Sequence, residues 1–413
     1  MGKRIAALVL AACMALPLFG CGSKLTAQSL TEGVTARTIN THVDLTDDST
    51  AVMDFAAALL RQTTKEEGVL LSPVSLLYAL GMTANGAGGT TLSQLEKAMG
   101  MDRDTLNDYL YTYRMSLPEN TKKCKLSLAN SLWVRDIFRV EDSFLDNCVS
   151  YYDAEVYRSA FDEAMKNDLN HWVSKQTDGM IDKLLEQAPG ERTMLYLVNA
   201  VCFDAKWKKP YEKENIQKDG VFTAADGTRQ TADLLWSQES LYLSDDNTTG
   251  FMKYYDGGRY AFVGLLPNEG VSIADYVAGL TGGKLHALLN DPQHGTVEAA
   301  IPRFKASSSL KLNDALKAMG VTDAFDSAAA DLRAMGGAPY DQLYVSAVLH
   351  KTYLELDENG TKAAAVTAVV NDATSAAPTE VHRVVLDRPF VYMIVDTHAN
   401  LPLFLGTVTQ MDG

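Results

Sequence analysis

The chain has 413 residues, 46% hydrophobic and 22% charged, enough apolar material for one large domain or two modest ones, which excludes an intrinsically disordered chain. Its formal charge is -15, and a chain without Lys3 and Arg4, the only charges among the first twenty residues, would carry -17 (-15 less two positive charges). That balance argues against nucleic acid and against an anionic membrane surface as partners.

The N-terminus, MGKRIAALVLAACMALPLFGCGSK, has a basic start and an apolar run ending at Cys21. The run is too short and too small-residued for a membrane span, so residues 1–20 read as a secretory signal. The stretch LFGC is similar to the bacterial lipoprotein signal, in which the cysteine becomes the lipidated first residue; a plain secretory signal cut nearby is the alternative. On this reading Cys21 carries the lipid and residues 21–45, rich in Ser and Thr, form a tether. Residues 46–413 form the folded domain, outside the cytoplasm, at the cell surface or secreted. Three cysteines remain, Cys124, Cys148 and Cys202; an odd number offers no disulfide framework, and they read as small buried hydrophobes.

Further along, GVLLSPVSLLYALGMTANGAGG predicts a strand and then a buried helix with Ser72 as N-cap and Pro73 at its first position. TTLSQLEKAMG predicts a second helix, with Thr91 and Gln94 at capping-box spacing and Gly100 as its stop. LSLANSLWV places Leu126, Leu128, Leu132 and Val134 on one face, with Asn130 the polar exception, as in a half-buried strand. TMLYLVNAVCF, AFVGLLP, RPFVYMIVD and PLFLGTVT are apolar runs bounded by turn residues and read as interior strands, while KLNDALKAMG is a helix stopped by Gly320. Helices dominate the first half and strands the second, without a βαβ rhythm or repeat, so the class is α+β.

No HExxH, GxSxG, CxxC or Walker loop occurs, NGAGGTT lacks the third glycine of a dinucleotide fingerprint, and the seven histidines lack metal-ligand spacing. No metal, cofactor or conventional enzyme activity is expected. Ser72, His350 and a carboxylate could assemble a triad in space; a hydrogen-bonded core cluster is the favoured reading. The stretch DENGTKAAAVTAVVNDATSAAP is too alanine-rich to anchor a core, yet with Val366, Thr367, Val369 and Val370 too β-branched for a flexible linker. Counted in twos, Thr361, Ala363, Ala365, Thr367 and Val369 share one face, and Lys362 and Asp372 fall on the other. Residues 361–374 would span roughly 46 Å as a strand.

Taken in order, LLSPVSLLYALGMTANGAGGTTLSQL, LANSLWV, YYDAEV followed by Phe161, NHWVSKQTDGMI, LVNAVCFDAKW, AIPRFK, LYVSAVLHKTYLELDENGTKAAAVTA, DRPFVYMIVD and LFLGTV resemble the successive signature stretches of the serpins, over nearly the whole chain after the tether. With the signal, this suggests a bacterial secreted or lipoprotein member. The resemblance implies three β-sheets with surrounding helices and an exposed reactive-centre loop that a protease attacks as bait. The acylated protease is then trapped as the cleaved loop inserts into the central sheet.

Residue by residue, the resemblance assigns Glu358, Gly360, Thr361, Ala363, Ala364 and Ala365 to the hinge where insertion starts. Ser72, Ser75, Asn199 and His350 match the polar shutter beneath the parting strands, and Trp207 matches the breach where the loop enters. Cys202 and Asp204 stand where the family usually has Tyr and Lys, and Pro210 interrupts the usual sequence after Trp207. Counting from the hinge places the reactive bond between Thr374 and Ser375; counting back from Arg388 moves it up to four residues later. The surroundings hold no Lys, Arg or aromatic residue, which suits proteases of elastase-like or subtilisin-like specificity. The implied partners are serine proteases, in a covalent acyl complex, with cysteine proteases as a second class; the protein acts as a monomer and meets a membrane only through its lipid. A non-inhibitory serpin, a binding protein or protease substrate, is the alternative, against which the hinge ENGTKAAAVT argues.

Overall fold

The apolar runs that read as interior strands gather into two large sheets with the helices around them, in a computed structural model that describes residues 25–47, 49–64, 68–337, 343–361 and 380–411. The first sheet has seven strands, in spatial order Gln28–Ser29, Glu155–Ser159, Cys124–Arg135, Leu195–Lys206, Gly360–Thr361, Ala347–Leu356 and Phe304–Lys311. The second has nine. Its path runs Val381–Val385, Gln293–Pro302, Arg229–Ser244, Thr248–Tyr254, Tyr260–Pro267, Phe390–Asp396, Leu401–Val408 and Val69–Leu71, with Ile216–Thr223 paired to Arg229–Ser244. Arg139–Val140 and Gly336–Gly337 make a small third sheet. The α+β class and three sheets expected from the sequence are those observed.

The helix Pro73–Gly86 is buried along its whole length because it packs between the sheets, against Leu195–Lys206 and Cys124–Arg135 on one side and Leu401–Val408 on the other. Ser72 does occupy its N-cap, but its side chain makes no capping bond. The second helix departs further. It starts at Gly89 behind Gly88, so Thr91 and Gln94 form no capping box; Thr91 Oγ1 accepts from Asp331 N at 2.9 Å and Gln94 Oε1 accepts from Asp323 N at 2.8 Å. Those side chains spend their hydrogen bonds on a loop more than two hundred residues away in sequence. Gly100 ends the helix as expected, with a left-handed φ of 75°.

In Cys124–Arg135 the one-sided alternation gives way to burial on both faces from Asn130 to Val134. The helix Glu163–Gln176 covers the outer face there: Trp133 stacks on Tyr157 at 4.4 Å and joins Leu169 and Trp172 in a separate apolar cluster. The stretch expected as a tether is, from Leu25 on, docked instead. Gln28–Ser29 forms the edge strand beside Glu155–Ser159, and the buried Asp168 carboxylate accepts from Thr26 N, Thr26 Oγ1 and Ala27 N at 2.8, 2.6 and 2.6 Å. Cys148 and Cys202 are buried and Cys124 partly so, and none is disulfide-bonded. Among the described residues no helix is long and apolar enough to cross a membrane, and no cluster of metal-ligating side chains occurs.

Candidate functional site

The sequence DENGT turns the chain back into the seven-stranded sheet. Asp357 makes the turn, its Oδ1 accepting from Asn359 N at 2.7 Å and Gly360 N at 3.1 Å, as Asx turns do. The turn is gripped from the side. Trp207 Nε1 donates to Asp357 O at 2.9 Å, Trp207 N to Asn359 O at 2.9 Å and Tyr211 N to Glu358 O at 2.9 Å. Pro210 thus sits between two residues that hold the turn, Trp207 and Tyr211. Gly360 follows with φ 157°; a Cβ there would lie 2.1 Å from Ala205 O, so only glycine passes. Thr361 is fully buried, its hydroxyl 2.6 Å from Tyr255 Oη. Burial raises the Tyr255 phenol well above its usual pKa, keeping it a neutral partner.

Thr361 lies between two strands, opposite Ala205 on one side and Leu356 on the other. At the far end those strands, Leu195–Lys206 and Ala347–Leu356, pair with each other directly and in parallel, from Ala347 opposite Tyr196 to Lys351 opposite Ala200. Between these regions, over residues 201–204 and 352–355, no rung among the described residues joins the two strands. The offset is the same at both ends: 347 less 196 and 356 less 205 are both 151. A strand continuing from Thr361 would therefore need the two neighbours to separate sideways without sliding.

The directly paired region holds two of the residues expected at the shutter, Asn199 and His350, and Ser72 and Ser75 come from the start of the helix Pro73–Gly86. His350 stands opposite Asn199, and Asn199 opposite Asn130 on its other side, all three buried. Ser72 N donates to His350 Nε2 at 3.0 Å, and Asn199 Nδ2 to Asn130 Oδ1 at 2.6 Å. Because Nε2 accepts, the neutral ring carries its proton on Nδ1. Burial lowers the His350 pKa from 6.5 to about 4, so the ring is neutral at neutral pH. Within this group, four buried polar atoms have no partner among the described residues: Ser72 Oγ, Ser75 Oγ, Asn199 Oδ1 and His350 Nδ1. The Ser72 hydroxyl does not meet the ring, so no nucleophile–base pair forms, and the core-cluster reading of Ser72 and His350 fits the geometry.

Around Trp207 the site is charged. Glu358 pairs with Arg303 at 2.5 Å, and Arg303 with Asp233 at 3.3 Å. Trp207 stacks on Tyr255 with centroids 4.3 Å apart. The buried Lys253 ammonium lies 5.5 Å from the Trp207 ring centre, 4.4 Å from that of Tyr211 and 2.8 Å from Glu239 Oε1. Tyr211, Tyr255, Arg303 and Lys253 escaped the sequence reading; the one visible signal was a lone lysine inside the otherwise uncharged run GFMKYY. The expected lipidation site Cys21, the hinge residues Ala363, Ala364 and Ala365, and the bond Thr374–Ser375 lie outside the described residues.

The sequence model of the family described as serpin (serine protease inhibitor) matches residues 50–411. The chain is similar to neuroserpin of Gallus gallus, 29% identical over 365 residues covering 84% of this chain and 87% of the relative. Among solved structures it is similar to the thermophilic serpin tengpin in the native state, with TM-score 0.88, 39% identity and coverage of 93% and 100% of the two chains. Against tengpin in the latent state the TM-score is 0.77, at 36% identity and coverage of 92% and 100%.

Proposed function

The chain belongs to the serpin family, and we propose that it is an inhibitory member that traps serine proteases of elastase-like or subtilisin-like specificity as acyl-enzymes. The observation that carries this reading is the lodging of Thr361 between two strands that share one register above and below the gap. The protease serine oxygen attacks the Thr374 carbonyl, the Ser375 amine leaves with the proton, and an ester joins the two proteins. Insertion of the freed strand then outruns hydrolysis of that ester. Cysteine proteases, through a thioester, are the second class.

Continuing the register of Gly360 and Thr361 assigns each inserted residue its neighbours. Lys362 comes between Asp204 and Glu355, so the acid at 204, where the family usually has Lys, meets a compensating charge in this chain's own loop. Ala363 and Ala365 fall on the buried face, where small side chains pass between strands. Thr367 arrives between Asn199 and His350. Its hydroxyl can accept from His350 Nδ1–H and donate to Asn199 Oδ1 at once, and both atoms are unpartnered before insertion. An inserted threonine completes what the closed sheet leaves unsatisfied, and this favours the inserted form.

Incubation with elastase and with subtilisin tests the proposal. The expected product is a band near the summed masses that survives boiling in detergent, together with a C-terminal fragment starting at Ser375. A fragment starting at residues 376–379 would move the bond, and loop cleavage without a stable band or loss of protease activity would make the protein a non-inhibitory serpin. We further propose that Cys21 is lipidated and holds the protein at the cell surface, on the strength of the LFGC stretch. Cys21→Ser should then leave the membrane fraction or remain unprocessed; wild-type protein wholly in the soluble secreted fraction would sink the assignment.

A further inference from the structure

Directly after Trp207 in the chain, Lys208 and Lys209 line a cavity of about 340 Å³ that the buried Lys253 also lines. The rest of the lining includes Ser240 and Thr296, which are uncharged, and Glu239, which is taken up by Lys253. Among the described residues neither Lys208 nor Lys209 enters an ion pair, and Glu239 Oε1 is the only hydrogen-bond acceptor of the Lys253 ammonium, which has three donors. Three lysines around one small cavity stand out on a chain of charge -15. Burial lowers the Lys253 pKa, Glu239 opposes that shift and Lys209 adds to it by like-charge repulsion. A cavity of this size lined by cations and neutral hydrogen-bonding groups suits a compact anion better than an apolar ligand.

Its position matters as much as its charge. Lys208 and Lys209 follow Trp207 directly, and Lys208 N is tied to Tyr254 O at 3.0 Å. Thr296 lies opposite Val381, the first residue of the strand that follows the reactive segment. The cavity therefore touches the elements that anchor both ends of residues 362–379.

We propose that this cavity is a binding site for a small polyanion bearing phosphate or clustered carboxylate groups, held by Lys208 and Lys209 beside Lys253, and that its occupation tightens the grip on the hinge. A bound anion offsets the repulsion between Lys209 and Lys253, which keeps Lys253 on Glu239 and over the Trp207 and Tyr211 rings. Those two residues hold the carbonyls of Asn359 and Glu358. The binding half is independent of the inhibitory reading; the consequence for inhibition rests on it.

Calorimetric titration of the full-length protein with inorganic pyrophosphate at constant pH tests the site. One pyrophosphate should bind per chain, more weakly as salt rises, and the Lys208→Ala/Lys209→Ala double variant should lose affinity tenfold or more. A charge-matched control, Lys97→Ala/Lys122→Ala, removes two exposed lysines elsewhere and should stay within twofold. No binding at millimolar pyrophosphate, or equal losses in both double variants, would overturn the site. Hydrogen exchange then reads the coupling without any protease: pyrophosphate should slow exchange at Asn359 and Gly360 severalfold in the wild type and not in the Lys208/Lys209 variant. Binding with unchanged exchange at those amides would overturn the coupling.

Discussion

The two ends of one gap in the large sheet are built differently. At the hinge the chain is over-determined: Asp357, Trp207, Tyr211 and Tyr255 together satisfy the turn and bury Thr361 with a partner for its hydroxyl. Six residues further along the same strands, at Asn199 and His350 (205 less 199 and 356 less 350), the sheet is closed yet four buried polar atoms there have no protein partner among the described residues. Each such atom costs about 1–3 kcal/mol relative to a paired one. The sheet thus holds the start of an extra strand firmly and keeps the remaining path in a state that a continuing strand would improve. That is the arrangement expected of a chain whose loop moves inward only after it is cut.

The contrast can be broken first at the hinge. Thr361→Arg forces an unpaired charge into a fully buried slot at a cost of several kcal/mol. The variant should still be cut at the same bond, with the stable complex reduced to a trace on a denaturing gel; wild-type yield of complex would refute the buried register. Next in size is the shutter. His350 titrates near 4 when folded against 6.5 when unfolded, so the unfolded chain binds the extra proton between those values. Native stability is then full above pH 6.5 and falls by about 3 kcal/mol as the pH drops to 4. His350→Gln should flatten that slope in denaturant melts at pH 7 and pH 4.5, and an unchanged slope would remove His350 as its cause.

Thr367→Val sharpens the comparison because it keeps the shape and removes only the hydroxyl. Native stability should stay within about 0.5 kcal/mol, while the cleaved, inserted form should lose about 1–3 kcal/mol; equal effects on both forms would show that Thr367 does not reach Asn199 and His350. The smallest effect is expected at Lys362→Glu, which sets a third acid between Asp204 and Glu355. Cross-strand charge pairs carry about 0.2–1 kcal/mol, so the inhibitor should be consumed a few times faster per protease trapped, an effect that high salt should erase. A salt-independent change would point to packing instead.

The face that Thr361 presents to the core is legible in the sequence alone, because a period of two needs only the order of the residues. Ser72, Ser75, Asn199 and His350 are likewise named by the resemblance; in the structure His350 stands opposite Asn199 and accepts from Ser72 N, and Ser75 is buried on the helix Pro73–Gly86. What they lack is not legible in the sequence: an unpartnered atom is a statement about every neighbour in space. The same holds for Thr91 and Gln94, whose spacing fits a capping box but whose oxygens take donors from a loop around residues 323–331.

By itself, then, the sequence determined the elements and their class, since strand and helix patterns, turn residues and the αL glycine at position 100 depend on neighbours along the chain. It also settled the family, through the order of its signature stretches. Only the tertiary structure decided that Thr26 and Ala27 dock on Asp168 and Gln28–Ser29 on the sheet edge rather than trailing in a tether, that Tyr255 and Arg303 receive the hinge, and that three lysines line a cavity beside it. Those contacts join residues as far apart as 142 positions. Sheet register and helix packing set which such groups meet, and neither is written in any local window of the chain.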